Sequence, residues 1–169
     1  ATDSAVAIDY SQGDTLFLHA DTLLMETFHQ NTDSMFREMR AFHKVRFYRT
    51  DVQGTADSLV FSTVDSCLTM YRDPIIWNKN QQLLGEVIKV YMNDSTIDWS
   101  HIIGQALSVE RVDSTIYNQV TGKEMKSYFT NGEMRKTEVI GSVRVVYYPM
   151  DSDSTLIGMN VSETSKLEI

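Results

Sequence analysis

The chain has 169 residues, 42% hydrophobic and 10% aromatic, with a formal net charge of −8 and a pI near 4.9. That length accommodates one domain with a full core, and the apolar content lies well away from that of disordered chains. The acidity argues against nucleic acid, whose phosphates are held by clustered Lys and Arg, and Cys67, the only cysteine, excludes an intrachain disulfide, a zinc ribbon and a thioredoxin-type site.

Residues 1–14 are small and polar and are expected to form a loosely held leading segment, with residues 15–169 as a single domain. The start Ala-Thr-Asp-Ser, without Met, fits a mature or trimmed product from which a signal peptide has been removed. Thr15 to Met25 opens the strand material, and Asn31-Thr-Asp-Ser34 is a polar loop cluster. Phe36, Met39 and Phe42 have helical spacing, yet the same residues suit a strand leading into Val45-Arg-Phe-Tyr-Arg49, where apolar and basic residues alternate. The strand is the preferred reading.

From Gly54 onward the chain repeats, with Gly54, Gly85, Gly122 and Gly158 spaced 31 to 37 residues apart. After each glycine, apolar residues recur at the strand period of 2: Leu59 and Phe61; Ile88, Val90 and Met92; Met125 and Phe129. A turn follows at Val64-Asp-Ser66, Asn93-Asp-Ser95 and Asn131-Gly132. A further strand then carries Ile75 and Trp77, Leu107 and Val109, or Val143 and Val145. The stretch Gly122 to Tyr147 is the clearest copy, because Asn-Gly between two alternating runs is the strongest short hairpin signal. It reads as strand, tight turn, strand, a short break at Gly141, and strand. Met125, Phe129, Val143 and Val145 are expected to face inward, and Lys126 and Arg144 to face water. Short evenly spaced strands with mixed apolar types point to an all-β roll with some internal volume and little or no helix.

Catalytic and metal signatures are not found. His19, His29, His43 and His101 form no HxH or HExxH pair, and there is no GxSxG, P-loop or GxGxxG pattern. Asp151-Ser-Asp-Ser-Thr155 lacks the glycine and acidic spacing of a calcium loop. The many Asp-Ser pairs read as turn formers, apart from Asp57-Ser58, which lies inside a strand-like run. No catalytic residue, metal site or cofactor is therefore assigned, and the chain is read as a non-enzyme.

Val45-Arg-Phe-Tyr-Arg49, Gly54-Thr-Ala-Asp-Ser-Leu59, Tyr71-Arg-Asp-Pro-Ile-Ile-Trp77, Leu84-Gly85, Ile97-Asp98 and Gly122-Lys-Glu-Met125 together resemble the OstA-like family of periplasmic lipopolysaccharide transport and assembly proteins, in the form found in Bacteroides-like bacteria. The likeness runs from about Asp14 to Ile169 and rests on repeat punctuation rather than on a catalytic signature. The resemblance implies a β-jellyroll, an open roll of repeated antiparallel strand units whose apolar interior shields the acyl chains of lipopolysaccharide. It implies a periplasmic location, edge-strand pairing with other jellyroll domains of a transport bridge, and a head-to-tail homo-oligomer as one form of such pairing. Under it, the interior positions that would meet lipid are Leu59, Phe61, Met70, Trp77, Ile88, Val90, Trp99, Leu107, Met125, Phe129, Val143 and Val145. The alternative is a structural or adhesive all-β interaction domain with a packed, ligand-free interior.

Overall fold

Apolar and polar residues alternate along nearly every segment, and a segment of that period buries one face when it is extended and paired. The structure, a computed structural model, describes residues 1–10, 15–50, 52–93, 96–131, 133–153 and 155–169. Among the described residues there are twelve strands and no helix. In chain order they are β1 (Thr2–Asp9), β2 (Leu16–Phe28), β3 (Phe36–Tyr48), β4 (Val52–Ser62), β5 (Cys67–Tyr71) and β6 (Ile75–Asn78). They continue with β7 (Gln81–Leu84), β8 (Val87–Asn93), β9 (Thr96–Arg111), β10 (Tyr117–Thr130), β11 (Glu133–Tyr147) and β12 (Asn160–Glu168). The protein is all-β.

All pairings are antiparallel and follow the order β1-β2-β3-β4-β5-β8-β9-β10-β11-β12, with β6 bridging β4 and β7, and β7 bridging β6 and β9. The strands β4, β5, β8, β9, β7 and β6 thereby close a six-membered ring. Chain order explains the ring. Only Arg72–Pro74 separates β5 from β6 and only Gly85–Glu86 separates β7 from β8, so a long hairpin bends in its middle between the halves of β4 and β9. β1 and β12 stand at the two ends of the sheet.

The bends have a common backbone cause. Consecutive residues with positive φ occur at Asp3-Ser4, His43-Lys44, Arg72-Asp73, Gly104-Gln105 and Gly141-Ser142. Those within strands coincide with register shifts against the neighbouring strand. An extra residue in left-handed conformation kinks a strand and increases its twist, so a row of such bulges folds the sheet along one line. Eight of these ten positions are not glycine, so their conformation is held by the paired segments that flank them along the chain.

Two details differ from the sequence reading. The expected leading segment is a paired strand for most of its length, since Ala5, Ala7 and Asp9 of β1 lie opposite Ala20, Leu18 and Leu16 of β2. The break at Gly141 is a bulge inside β11, which pairs with β10 on both sides of it. In the hairpin turn, Asn131 has φ 54°, as a type I′ turn requires, while Gly132 lies outside the described residues, as do Asp94 and Ser95 of the preceding turn. Phe36 to Phe42 is strand, because both of its edges are paired laterally, with β2 and β4.

Candidate functional site

One row of side chains crosses the inner face from strand to strand. Leu23, Ala41, Leu59, Met70, Ile88, Ile102, Met125, Val139 and Leu167 are direct cross-strand partners in that order. Met70, Ile88 and Val139 are fully buried, and Leu59, Ile102 and Met125 nearly so. Directly opposed side chains on one face pack against each other, and each fully buried aliphatic contributes about 1.5–3 kcal/mol relative to exposure. Beyond the bends runs a second row, Ala7, Leu18, Phe47, Gly54, Ile76 and Leu83, continued after Ser108 by Val120 and Val145.

A third row changes character along its length. Met25, Met39, Phe61, Leu68 and Val90 are followed by Ser100, Ser127 and Thr137. The three hydroxyl residues are buried. Ser127 Oγ and Thr137 Oγ1 are 3.0 Å apart, and Thr137 Oγ1 also donates to Met134 Sδ at 3.2 Å. Paired hydroxyls of this kind carry little burial penalty.

Most of the sequence-expected interior residues fall on these rows. Leu59, Met70, Ile88, Val90, Met125 and Val143 belong to the buried cluster, and Val145 packs against it. Phe61 shares the face of Leu59 and is half-buried between Met39 and Leu68. Phe129 follows a register shift, lies opposite Met134 and is half-buried outside the cluster. Trp77, Trp99 and Leu107 are placed elsewhere. Their chain neighbours Ile76, Ser100 and Ala106 are the buried ones, so alternation puts all three on the outer face. Lys126 and Arg144 lie on the outer side, half-buried and exposed respectively.

Sequence reasoning did not find the aromatic content of that outer face. Trp99 stacks on Tyr91 with ring centroids 4.0 Å apart and planes within 3°, and on Tyr128 at 6.4 Å. Cross-strand register creates the stack, because Trp99 is directly opposite both tyrosines. Burial, and then the adjacent Cys67 thiol, push the Tyr91 phenol above its ordinary pKa. The available signal was the polar tip of each ring, which favours a half-exposed position over a sealed core.

The main charged contacts lie on the outer face and in the loops. His101 Nε2 lies 2.9 Å from Glu124, between Lys89 and Lys126 on the flanking strands. Lys136 bridges Glu138 at 2.7 Å and Glu168 of β12 at 3.0 Å. Hydrogen bonds to those carboxylates raise the Lys136 pKa, and the bond to Lys136 lowers that of Glu138. In the β9–β10 loop, Asp113 accepts from the amides of Thr115 and Ile116, at 2.6 and 2.8 Å, which holds its carboxyl below the ordinary range. Asp57, the exceptional Asp-Ser aspartate, accepts from Arg72 at 3.2 Å and faces His43 Nδ1 at 3.3 Å. Among the described residues no group of three His, Cys, Asp or Glu is placed to hold a metal ion.

No protein-family model matches this chain, and no curated protein matches it.

Proposed function

We propose that this chain is a non-enzymatic lipid-binding or bridging domain of periplasmic lipopolysaccharide transport, an open jellyroll that holds acyl chains along its inner face. The observation that carries the reading is the uninterrupted aliphatic row from Leu23 on β2 to Leu167 on β12, which offers one apolar path along almost the whole sheet. Each methylene transferred from water onto such a path contributes about 0.8 kcal/mol, enough for a multi-chain lipid to bind despite the ordering it undergoes. Strands β1 and β12 complement this. Both end the sheet, and Val6, Ile8 and Val161 on them are exposed, so each edge is suited to backbone pairing with another jellyroll domain or a second copy of this chain.

A photocrosslinker tests the reading. At Ile88 it is expected to capture lipopolysaccharide, and at the neighbouring outer position Lys89 it is not. Capture only from Lys89 overturns the reading.

One observation favours a second reading, a structural or adhesive domain with a packed interior. Met70, Ile88 and Val139 have no exposed surface, so in this conformation the inner row is covered by its own neighbours. Lipid binding then requires the facing halves of the sheet to part. Protein purified from a lipopolysaccharide-containing membrane extract and examined by native mass spectrometry separates the two. A lipid adduct lost in Ile88→Asp supports transport, and bare protein alone supports the structural reading.

A further inference from the structure

The outer face of β2, β3, β4 and β6 carries a trough that the inner-face reading leaves unused. Two open clefts, of about 590 Å³ and about 320 Å³, share His19, Arg46 and Thr55 and so run into one another. These volumes lie in the range of small-molecule sites, about 300–1,000 Å³. Register builds the smaller end. Phe17, Tyr48, Gln53 and Trp77 are direct partners on four successive strands, alternating with the inner row of Leu18, Phe47, Gly54 and Ile76. Phe17 is 43% and Tyr48 53% exposed, a large amount of flat aromatic surface to leave in water.

The larger end is polar and balanced in charge. Asp21, Asp57 and Asp73 stand against Lys44, Arg46 and Arg72. Lys44 pairs with Asp21 at 3.5 Å, and Arg72 with Asp57 at 3.2 Å. Guanidinium Nη2 of Arg46 lies 3.5 Å from His19 Nδ1. Equal numbers of opposite charges leave little net field to select an anion or a cation, while the pairs set donors and acceptors side by side along the cleft. The bulge at His43-Lys44 and the kink at Arg72-Asp73 set these side chains along the bend, so the backbone fixes their spacing.

Flat aromatic faces at one end and neutralised donor–acceptor pairs at the other match one ligand class. The negative face of an aromatic ring attracts the weakly positive C–H side of a pyranose, and hydroxyls both donate and accept. We infer that the trough binds a neutral oligosaccharide, with sugar rings on Phe17, Tyr48 and Trp77 and hydroxyls on Arg46, Gln53 and Asp57. This assignment does not depend on what the inner face holds.

The test is NMR titration of the intact chain with maltotriose, cellotriose, chitotriose and mannotriose, and with trigalacturonate as the anionic comparison. At least one neutral trisaccharide is expected to shift the Trp77 indole N–H and the Gly54 and Thr55 amides saturably. Tyr48→Ala, a change at an exposed ring, is expected to weaken that binding about tenfold, as is Phe17→Ser, an independent variant should one of them fold poorly. The assignment is overturned if none of the four neutral sugars shifts these signals, if shifts map to Ile88 and Val139 instead, if trigalacturonate binds more tightly than every neutral sugar, or if both variants bind as well as the parent chain.

Discussion

The most deeply buried inner positions and the ring clusters of the outer face use different kinds of apolar residue. Inside, the fully buried positions are aliphatic: Leu59, Met70, Ile88, Ile102, Val139 and Val143. Outside, two aromatic clusters stand among exposed aliphatic residues such as Leu24 and Ile140, with Phe17, Tyr48 and Trp77 on one side of the bend and Tyr91, Trp99 and Tyr128 on the other. Aliphatic chains pack against their cross-strand partners on the inner face and need no hydrogen-bond partner there. Rings on the outside lie flat, stack laterally and keep their polar tips wet.

Truncation sharpens that contrast most. Ile88→Ala should lower unfolding free energy by about 2–5 kcal/mol, because it empties a fully buried site with partners on both flanking strands. Lys89→Ala, one residue along and on the other face, should change it by no more than about 0.5 kcal/mol. Urea denaturation measures both, and equal losses would mean that the faces are assigned wrongly.

The next largest effect concerns glycine. A Cβ on Gly54 would lie 2.5 Å from the Phe47 ring and 2.9 Å from the Ile75 carbonyl oxygen. Gly54→Ala should therefore cost about 1–3 kcal/mol by overpacking, and Phe47→Leu in the same chain should recover part of it. Thermal unfolding of the two single variants and the double variant gives the coupling. Strict additivity would show that the ring does not press on Gly54.

These glycines also show what the sequence made legible. Gly54, Gly85 and Gly122 recur because a large inner side chain closes over each of them: Phe47, Ile102 and Val139 respectively. The period was visible, and with it the all-β class, β3 as a strand and the hairpin of β10 and β11. Gly158 has nothing within 4 Å and only happens to match the spacing. The bends were hidden, because most of their positive-φ residues are Asp, Ser, His, Lys, Arg or Gln, types that carry no glycine signal. Trp77 and Leu107 were placed by their offset from the preceding glycine, whereas the buried positions run in even steps from Met70 to Ile76 and from Ile102 to Ala106, which leaves both on the outer face. Trp99 failed for another reason: hydropathy does not tell a half-exposed indole from a buried one.

A smaller effect probes the polar end of the third inner row. Thr137→Val leaves Ser127 Oγ without its 3.0 Å partner and should cost about 1–2 kcal/mol. Adding Ser127→Ala removes the second hydroxyl and should restore part of the loss. Urea midpoints of the three variants decide this, and a fully additive double variant would mean that the hydroxyls act separately.

The smallest effect separates the faces by pH. The inner rows contain no carboxylate, whereas Lys136, Glu138 and Glu168 clasp β11 to β12 on the exposed side. The Glu138 pKa is lowered in the folded chain, so its contribution is complete above the unfolded carboxylate value of about 4.3 and is lost as pH falls through the lower folded value. The Lys136 pKa is raised, so its contribution is complete below about 10.4 and disappears only as pH rises through the higher folded value. Between these limits the clasp is constant. Acidification below about pH 4 should therefore loosen the end of β12 first. The reciprocal amide bonds between Thr137 and Ile169, at 2.6 and 3.0 Å, report on it, and their exchange protection should drop while that of Ile88 and Ile102 holds. Because all three groups reach solvent, 0.5 M salt should weaken the clasp at neutral pH and shrink the acid-induced drop. If Ile88 loses protection in step with Ile169, the two faces unfold as one unit and the edge has no separate stability.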